Sequence, residues 1–232
     1  MERKAMFFIC AMLALLSTVA PAKTLVVYYS YTNNCHDIMT TLTSQITADV
    51  LRIQPVDKTL KYEANGYALG TQLLNAINAA PNNAASYPAI DPVSITLSDY
   101  QTIIIITPLW WSQMAAIMQT YLFNYGSQMA GKNIGLIVSS ANSNINKVVT
   151  DCKRLVPNGN YFNKNLWINN SNRSERSSLI QSWLTDINYQ HTSSISNVRV
   201  SAPSSIYDLN GHILTQEPLK GIFIKDGKKI IK

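Results

Sequence analysis

The segment from Thr24 to Cys35, TLVVYYSYTNNC, constrains the fold more than any other part of the chain. Its apolar run, Leu25 to Tyr29, is short for a helix and rich in β-branched and aromatic residues, which predicts a strand buried on both faces. Hydroxyl and amide side chains follow, and then a helical pattern begins. The free N–H groups and positive dipole end of that helix predict an anion site that needs no Lys or Arg. A phosphate bound there would also meet the hydroxyls of Ser30 and Thr32.

The N-terminus predicts export. Arg3 and Lys4 precede an uncharged stretch, Ala5 to Ala20, and Ala20-Pro21-Ala22 has the form of a cleavage site. This arrangement is typical of a secretory signal peptide over residues 1–22, and the apolar stretch is short for a membrane span. An uncleaved anchor is the alternative. We expect an exported mature chain without a membrane span, located in the periplasm, with secretion or surface display also open.

Composition excludes several classes of function. Loss of Glu2, Arg3 and Lys4 lowers the formal net charge from +6 to +5. Basic residues are sparse outside the C-terminal tail and form no stripe with aromatic residues, so we expect no nucleic-acid partner. Cys35 and Cys152 remain after processing and could pair, although two cysteines are not a disulfide framework. The three histidines are scattered and predict no metal site.

The body of the chain, residues 23–188, alternates between two kinds of segment. Strands are predicted at 24–29, 49–53, 102–107, 133–139 and 166–168, and helices at about 34–48, 66–80, 113–125, 144–156 and 174–187. Such alternation predicts right-handed crossovers and a parallel sheet covered on both faces. Five strands of this kind suit an α/β doubly wound fold of strand order 2-1-3-4-5. Its ligand would lie at the carboxyl edge, between strands one and three.

The character of the sequence changes after Asn188. Residues 189–204 are polar and rich in Ser, which predicts a linker. Short β-prone runs follow at 206–207, 212–214, 222–224 and 229–231. Asn210-Gly211 and Asp226-Gly227 are strong hairpin signals between them. We therefore expect a small separate β element over residues 205–232.

Three segments should meet at the carboxyl edge of the sheet. They are Ser30-Tyr31-Thr32-Asn33-Asn34-Cys35, Thr107-Pro108-Leu109-Trp110-Trp111 and Ser139-Ser140-Ala141-Asn142-Ser143-Asn144. The body resembles the flavodoxin family on these segments, and specifically its members whose third strand ends in a Trp pair. The resemblance implies a flavodoxin-like fold and an FMN site. Its implied cofactor-binding residues are Ser30, Tyr31, Thr32, Asn33, Asn34, Cys35, Pro108, Leu109, Trp110, Trp111, Ser139, Ser140, Ala141, Asn142 and Ser143.

The phosphate loop departs from the family pattern at two positions. Asn33 stands where the family has Gly, and Cys35 stands where it has a hydroxyl. Asn tolerates left-handed backbone, so the turn costs less than the ~1–2 kcal/mol of an ordinary side chain. Loss of a hydroxyl donor weakens a phosphate contact by ~1 kcal/mol. We still expect FMN to bind, with Trp110 or Trp111 stacked on its ring.

The resemblance implies an exported FMN protein that acts in electron transfer or as a flavin-dependent reductase. Its redox partner, whether a protein or a small-molecule acceptor, is not identified by the sequence. A second hypothesis is a flavin-free binding or surface protein that uses the same fold. A third is a thiol-based redox protein, because a helix N-terminus should lower the pKa of Cys35. His36 does not support a catalytic pair with Cys35, since adjacent helix positions do not face each other.

The tail carries a resemblance of its own. Its residues include Ile206-Tyr207-Asp208-Leu209-Asn210-Gly211, Leu219-Lys220-Gly221-Ile222-Phe223-Ile224 and Gly227-Lys228-Lys229-Ile230-Ile231-Lys232. These resemble a shortened C-terminal sorting domain of the type IX secretion system. The resemblance implies secretion machinery as a partner. A private β-hairpin docked on the body is the alternative.

Overall fold

The computed structural model describes residues 23–189 and, in the tail, residues 206–207, 213–214, 220, 222–225 and 228–231. The chain divides into two units, one that ends at residue 193 and one that begins at residue 194. The predicted signal peptide, residues 1–22, and almost all of the predicted linker lie outside the described residues.

A central sheet organises the first unit. Its strands are β1 (Lys23–Tyr28), β2 (Asp49–Arg52), β3 (Tyr100–Trp110), β4 (Gln113–Met114), β5 (Asn133–Ser139), β6 (Asn160–Tyr161) and β7 (Leu166–Ile168). The order β2-β1-β3-β5 is parallel, and β6 and β7 both pair with β5. The predicted doubly wound fold is therefore confirmed. The fifth position differs in one respect, because β6 pairs with the start of β5 and β7 with its end.

Helices cover both faces of this sheet. They are α1 (Asn34–Thr43), α2 (Ala64–Ala79), α3 (Ala116–Tyr125), α4 (Asn146–Leu155) and α5 (Arg176–Asp186). Side chains of β1 alternate between two cores, because successive residues of a strand point to opposite faces. Leu25 and Val27 pack in the core with α2, α3 and α4, while Val26 and Tyr28 pack in the core with α1 and α5. This double burial explains the unbroken apolar runs of the strands.

The first helix is shorter than predicted. It ends at Thr43 rather than near Ala48. The hydroxyls of Thr40, Thr41 and Thr43 donate to carbonyl oxygens four residues earlier in the chain. Thr is a weak helix former, and a run of such residues lets the helix end although Ile46 is still buried.

The end of the third strand also differs from the prediction. We expected Pro108 to end it, but β3 continues to Trp110 and Pro108 pairs with Ser139 of β5. The chain then turns back, so that Gln113 pairs with Trp110 in an antiparallel hairpin. The following helix therefore begins at Ala116 instead of Gln113.

The described parts of the tail form a second sheet. Its strands are β8 (Ile206–Tyr207), β9 (Ile213–Leu214), β10 (Ile222–Lys225) and β11 (Lys228–Ile231), in the antiparallel order β11-β10-β8-β9. These strands fall where the β-prone runs predict them, and β10 pairs antiparallel with β11, with Lys225 opposite Lys228. Among the described helices of the chain, none is long and apolar enough to cross a bilayer.

Candidate functional site

A cleft of about 650 Å³ opens at the carboxyl edge of the sheet. Its size is typical of small-molecule sites, and its place is where a doubly wound fold binds ligands. The predicted residues that line it are Ser30, Tyr31, Thr32, Asn34, Cys35, Pro108, Leu109, Trp110, Trp111, Ser139, Ser140 and Ala141. Three others from the predicted set, Asn33, Asn142 and Ser143, are not in its lining.

The start of α1 forms one end of the cleft. Asn33 precedes the helix with φ 64°, a left-handed conformation that favours Gly and is tolerated by Asn, and its side chain makes no capping hydrogen bond. The His36 N–H donates to Ser30 Oγ at 3.2 Å. Within residues 23–189, the amide N–H groups of Asn34 and Cys35 have no acceptor. Two amides without an acceptor therefore lie at the positive end of a helix dipole, on residues that line the cleft.

The hairpin of β3 and β4 forms the aromatic wall. Its turn consists of Trp111 and Ser112, with φ values of 45° and 63°. Positive φ at both turn positions gives the type I′ geometry that suits a two-residue hairpin. The Trp110 ring lies 4.7 Å from the ring of Tyr62, between centroids, and is partly buried. Trp111 stays 42% exposed at the cleft mouth.

A glycine lets the Trp111 ring lie against α2. A Cβ atom built on Gly70 would lie 2.4 Å from Cη2 of Trp111, which is closer than two carbon atoms can approach. The Tyr67 ring meets Trp111 edge to face, with 5.7 Å between the ring centroids. The indole is thus held between a bare stretch of helix backbone and an aromatic edge.

The segment at the start of α2 supplies lining residues that the predicted set lacks: Tyr62, Glu63 and Tyr67, while Asn170 follows β7. Asn65, Gly66 and Tyr67 are all left-handed, with φ values of 52°, 64° and 67°. The signal for this segment was present, since it follows β2 at the same sheet edge and contains an Asn-Gly turn pair. Its register could not be derived from the sequence.

Glu63 is the one charged side chain in the described lining of the cleft. Its carboxylate accepts a hydrogen bond from the hydroxyl of Tyr31 in the loop after β1. That bond lowers the pKa of Glu63 and raises the pKa of Tyr31. Burial raises the pKa of Tyr62 to about 12, so its hydroxyl remains protonated at neutral pH. The cleft therefore combines hydroxyls and aromatic rings with a single negative charge.

The loop after β5 closes the third side. The Ser140 Oγ accepts a hydrogen bond from Trp167 Nε1 at 2.8 Å and donates to the Ser143 carbonyl at 2.9 Å. The Ser140 N–H donates to the Ile168 carbonyl at 3.1 Å. These bonds tie the loop to β7 and leave Ser139, Ser140 and Ala141 at the cleft.

The expectation that the helix start lowers the pKa of Cys35 was wrong, which removes the support for the third hypothesis. The Cys35 side chain is 1% exposed, and burial raises the pKa of the thiol despite hydrogen bonds from Ser139. Desolvation of the thiolate outweighs the helix dipole, because the sulfur points into the core with α1 and α5 rather than toward water. Cys35 and Cys152 are both free, so the possible pairing is also wrong. Within the described residues, no cluster of His, Cys, Asp or Glu could hold a metal ion.

Comparison with known proteins assigns the family. The flavodoxin profile matches residues 23–187, and this chain belongs to the flavodoxin family. A search of curated protein sequences gave no match.

Solved structures share the fold. A candidate flavoprotein from Bacteroides eggerthii is 22% identical, with a TM-score of 0.58 over 73% of this chain and 99% of that one. A candidate flavoprotein from Bacteroides uniformis is also 22% identical, with a TM-score of 0.56 over 70% and 99% of the two chains. A flavoprotein from Lactobacillus acidophilus, solved in complex with FMN, is 20% identical, with a TM-score of 0.53 over 67% and 99%.

Proposed function

We propose that this protein binds FMN in the cleft and acts outside the cytoplasm, either in electron transfer or as a flavin-dependent reductase. The observation that carries the proposal is the pairing of an uncapped helix start with an aromatic hairpin across one cleft. Family membership and the FMN complex of the Lactobacillus acidophilus neighbour support the same ligand.

The phosphate of FMN suits the end of the cleft at α1. The amides of Asn34 and Cys35 and the hydroxyls of Ser30 and Thr32 are donors of the kind that bind a phosphate dianion. The described lining contains no Lys or Arg, so the helix N-terminus would supply the positive potential. Because the thiol of Cys35 is buried, its backbone N–H is the group that would bind the phosphate.

The tricyclic ring suits the end of the cleft at the Trp hairpin. Trp110, Trp111 and Tyr62 provide flat apolar surfaces, and each stacked ring contributes about 0.5–1.5 kcal/mol beyond area burial. The same rings exclude water from one side of the cleft. Bound FMN supplies the redox chemistry, while the chain orients the ring and sets its electrostatic surroundings. Glu63 would place a negative charge near the ring.

The decisive experiment is a flavin titration of the purified protein. The fluorescence of FMN should be quenched when it binds, and bound FMN should raise the melting temperature of the protein. Riboflavin should bind more weakly because it lacks the phosphate. Ala substitution of Trp110 or Trp111 should lower the affinity for FMN and for riboflavin by the same factor. Absence of FMN binding would leave the flavin-free hypothesis, in which these substitutions reduce only stability.

We further propose that residues 1–22 direct export and that the tail engages secretion machinery. The sequence patterns described above support both statements. Fractionation of cells that make the full chain tests the first, since the mature protein should be found outside the cytoplasm with residues 1–22 removed. Deletion of residues 205–232 tests the second, and unchanged surface delivery of the shortened chain would contradict it.

A further inference from the structure

The hairpin that carries the Trp pair requires an external anchor. Trp111 and Ser112 hold positive φ values of 45° and 63° at its tip, positions that Asn and Gly normally occupy in a type I′ turn. A side chain with a Cβ disfavours this conformation, so the local sequence does not stabilise it. Only two residue pairs join the strands: Leu109 with Met114 and Trp110 with Gln113.

The anchor lies at Met114, at the base of the hairpin. Its N–H donates to Asp151 Oδ2 at 3.1 Å, and its carbonyl oxygen accepts from Gln119 Nε2 at 2.8 Å. Asp151 and Gln119 are each 1% exposed. Two buried polar side chains thus bind the two backbone groups of one residue, a rigid arrangement because neither can exchange its partner for water.

Helix α4 supports both of these side chains. Lys147 pairs with Asp151 Oδ1 through its ammonium group, four residues away on the same helix. Arg154 donates to Gln119 Oε1 at 2.8 Å and to the Tyr87 hydroxyl at 3.2 Å. None of these residues lines the cleft. A buried carboxylate is costly to keep in a core unless it is paired, and here one Asp151 oxygen binds the Lys147 ammonium while the other binds the hairpin amide.

We propose that Asp151 is a positioning residue for flavin binding, which holds the β3–β4 hairpin so that Trp110 and Trp111 face the cleft. The flavin part of this inference rests on the proposed function. The conformational part does not, because the hairpin is anchored in the protein alone. Without this acceptor, the Met114 N–H would be buried and unpaired, and the strained tip would relax.

The test uses two substitutions in the full protein and a control. Asp151→Ala removes the acceptor, while Asp151→Asn keeps an amide oxygen that can still accept from Met114 N–H. Ile180→Ala is the control. Ile180 is fully buried in the core with α1 and α5, which does not include the hairpin, so this substitution should destabilise the fold without removing the anchor. The four Trp residues are labelled with 5-fluorotryptophan, and their fluorine NMR signals are assigned by single Trp→Phe variants.

In the absence of flavin, Asp151→Ala should shift or broaden the Trp110 and Trp111 signals, and Asp151→Asn should restore most of the change. FMN should then bind Asp151→Ala roughly 10- to 100-fold more weakly, the scale of one hydrogen bond to a charged group. Unchanged Trp110 and Trp111 signals, or a shift equal to that of Ile180→Ala, would overturn the inference. If the wild type bound no FMN, the proposed function would fail while the signals still decided the positioning role.

Discussion

Gly70 is the position where the site and the stability of the fold can be separated most cleanly. It lies in the right-handed part of α2, where a Cβ would lie 2.4 Å and 2.6 Å from two ring atoms of Trp111. Gly70→Ala therefore forces the indole off the helix. The indole is the far end of a side chain that is 42% exposed, so it can swing toward solvent while the core keeps its packing.

The expected effects on stability nearly cancel. Ala in a helix interior is favoured over Gly by about 1 kcal/mol. Displacement of the ring loses the edge contact between Trp111 and Tyr67, a loss of about 0.5–1.5 kcal/mol. The free energy of unfolding of Gly70→Ala should thus stay within about 1 kcal/mol of the wild type. FMN affinity should fall about 2- to 13-fold, because the displaced ring no longer stacks on the flavin.

Urea unfolding and FMN fluorescence titration measure the two quantities. Asn75→Ala serves as the control, since it is exposed on the same helix and raises helix propensity without contact with Trp111. A Gly70→Ala protein that binds FMN as tightly as the control would refute the placement of the Trp111 ring. A large loss of stability in Gly70→Ala would refute the claim that the ring moves freely.

Two further predictions concern the other end of the cleft and the buried thiols. Ser30→Ala removes the hydroxyl that accepts from the His36 N–H and that would donate to the phosphate. The affinity for FMN should therefore fall about tenfold, while the affinity for riboflavin should stay unchanged. Titration with both flavins checks this, and equal losses would contradict a phosphate role. Burial raises the pKa of Cys35 and Cys152 in the folded protein. The protonated thiols therefore make their full contribution to the free energy of unfolding below the pKa of about 8.5 that a cysteine has in the unfolded chain. This contribution is lost as the pH rises above that value. Urea unfolding at increasing pH should show this decline, and a flat profile would contradict it.

The strands of the sheet could be predicted because burial on both faces requires an unbroken run of apolar residues in the sequence. Ile103 to Ile106 are all fully buried, and four β-branched residues in succession are typical of a strand covered on both faces. The parallel sheet with helices on both faces followed from alternation and crossover handedness, which depend on backbone chirality rather than on particular contacts. The loops that meet at the carboxyl edge were predictable because parallel strands all end at the same edge of a sheet.

The start of α2 shows where this reasoning stops. Tyr62 and Glu63 reach the cleft because three left-handed residues turn the chain before the helix becomes regular. Such a turn is stabilised by contacts across the cleft, among them the bond from Tyr31 to Glu63, whose partners are 32 residues apart. No local pattern encodes a contact of that separation.

The sequence by itself determined the layers of the fold, the place of the first helix start and the sheet edge at which the cleft opens, because these follow from periodicity, backbone chirality and strand direction. Only the tertiary structure decided which way single side chains point. Cys35 is an example, since its place at a helix start predicted a lowered thiol pKa, whereas its burial raises that pKa. The orientation of the Trp hairpin is another, because it depends on Asp151, 37 residues beyond Met114. Desolvation and long-range hydrogen bonds are properties of the folded chain, and a linear pattern does not contain them.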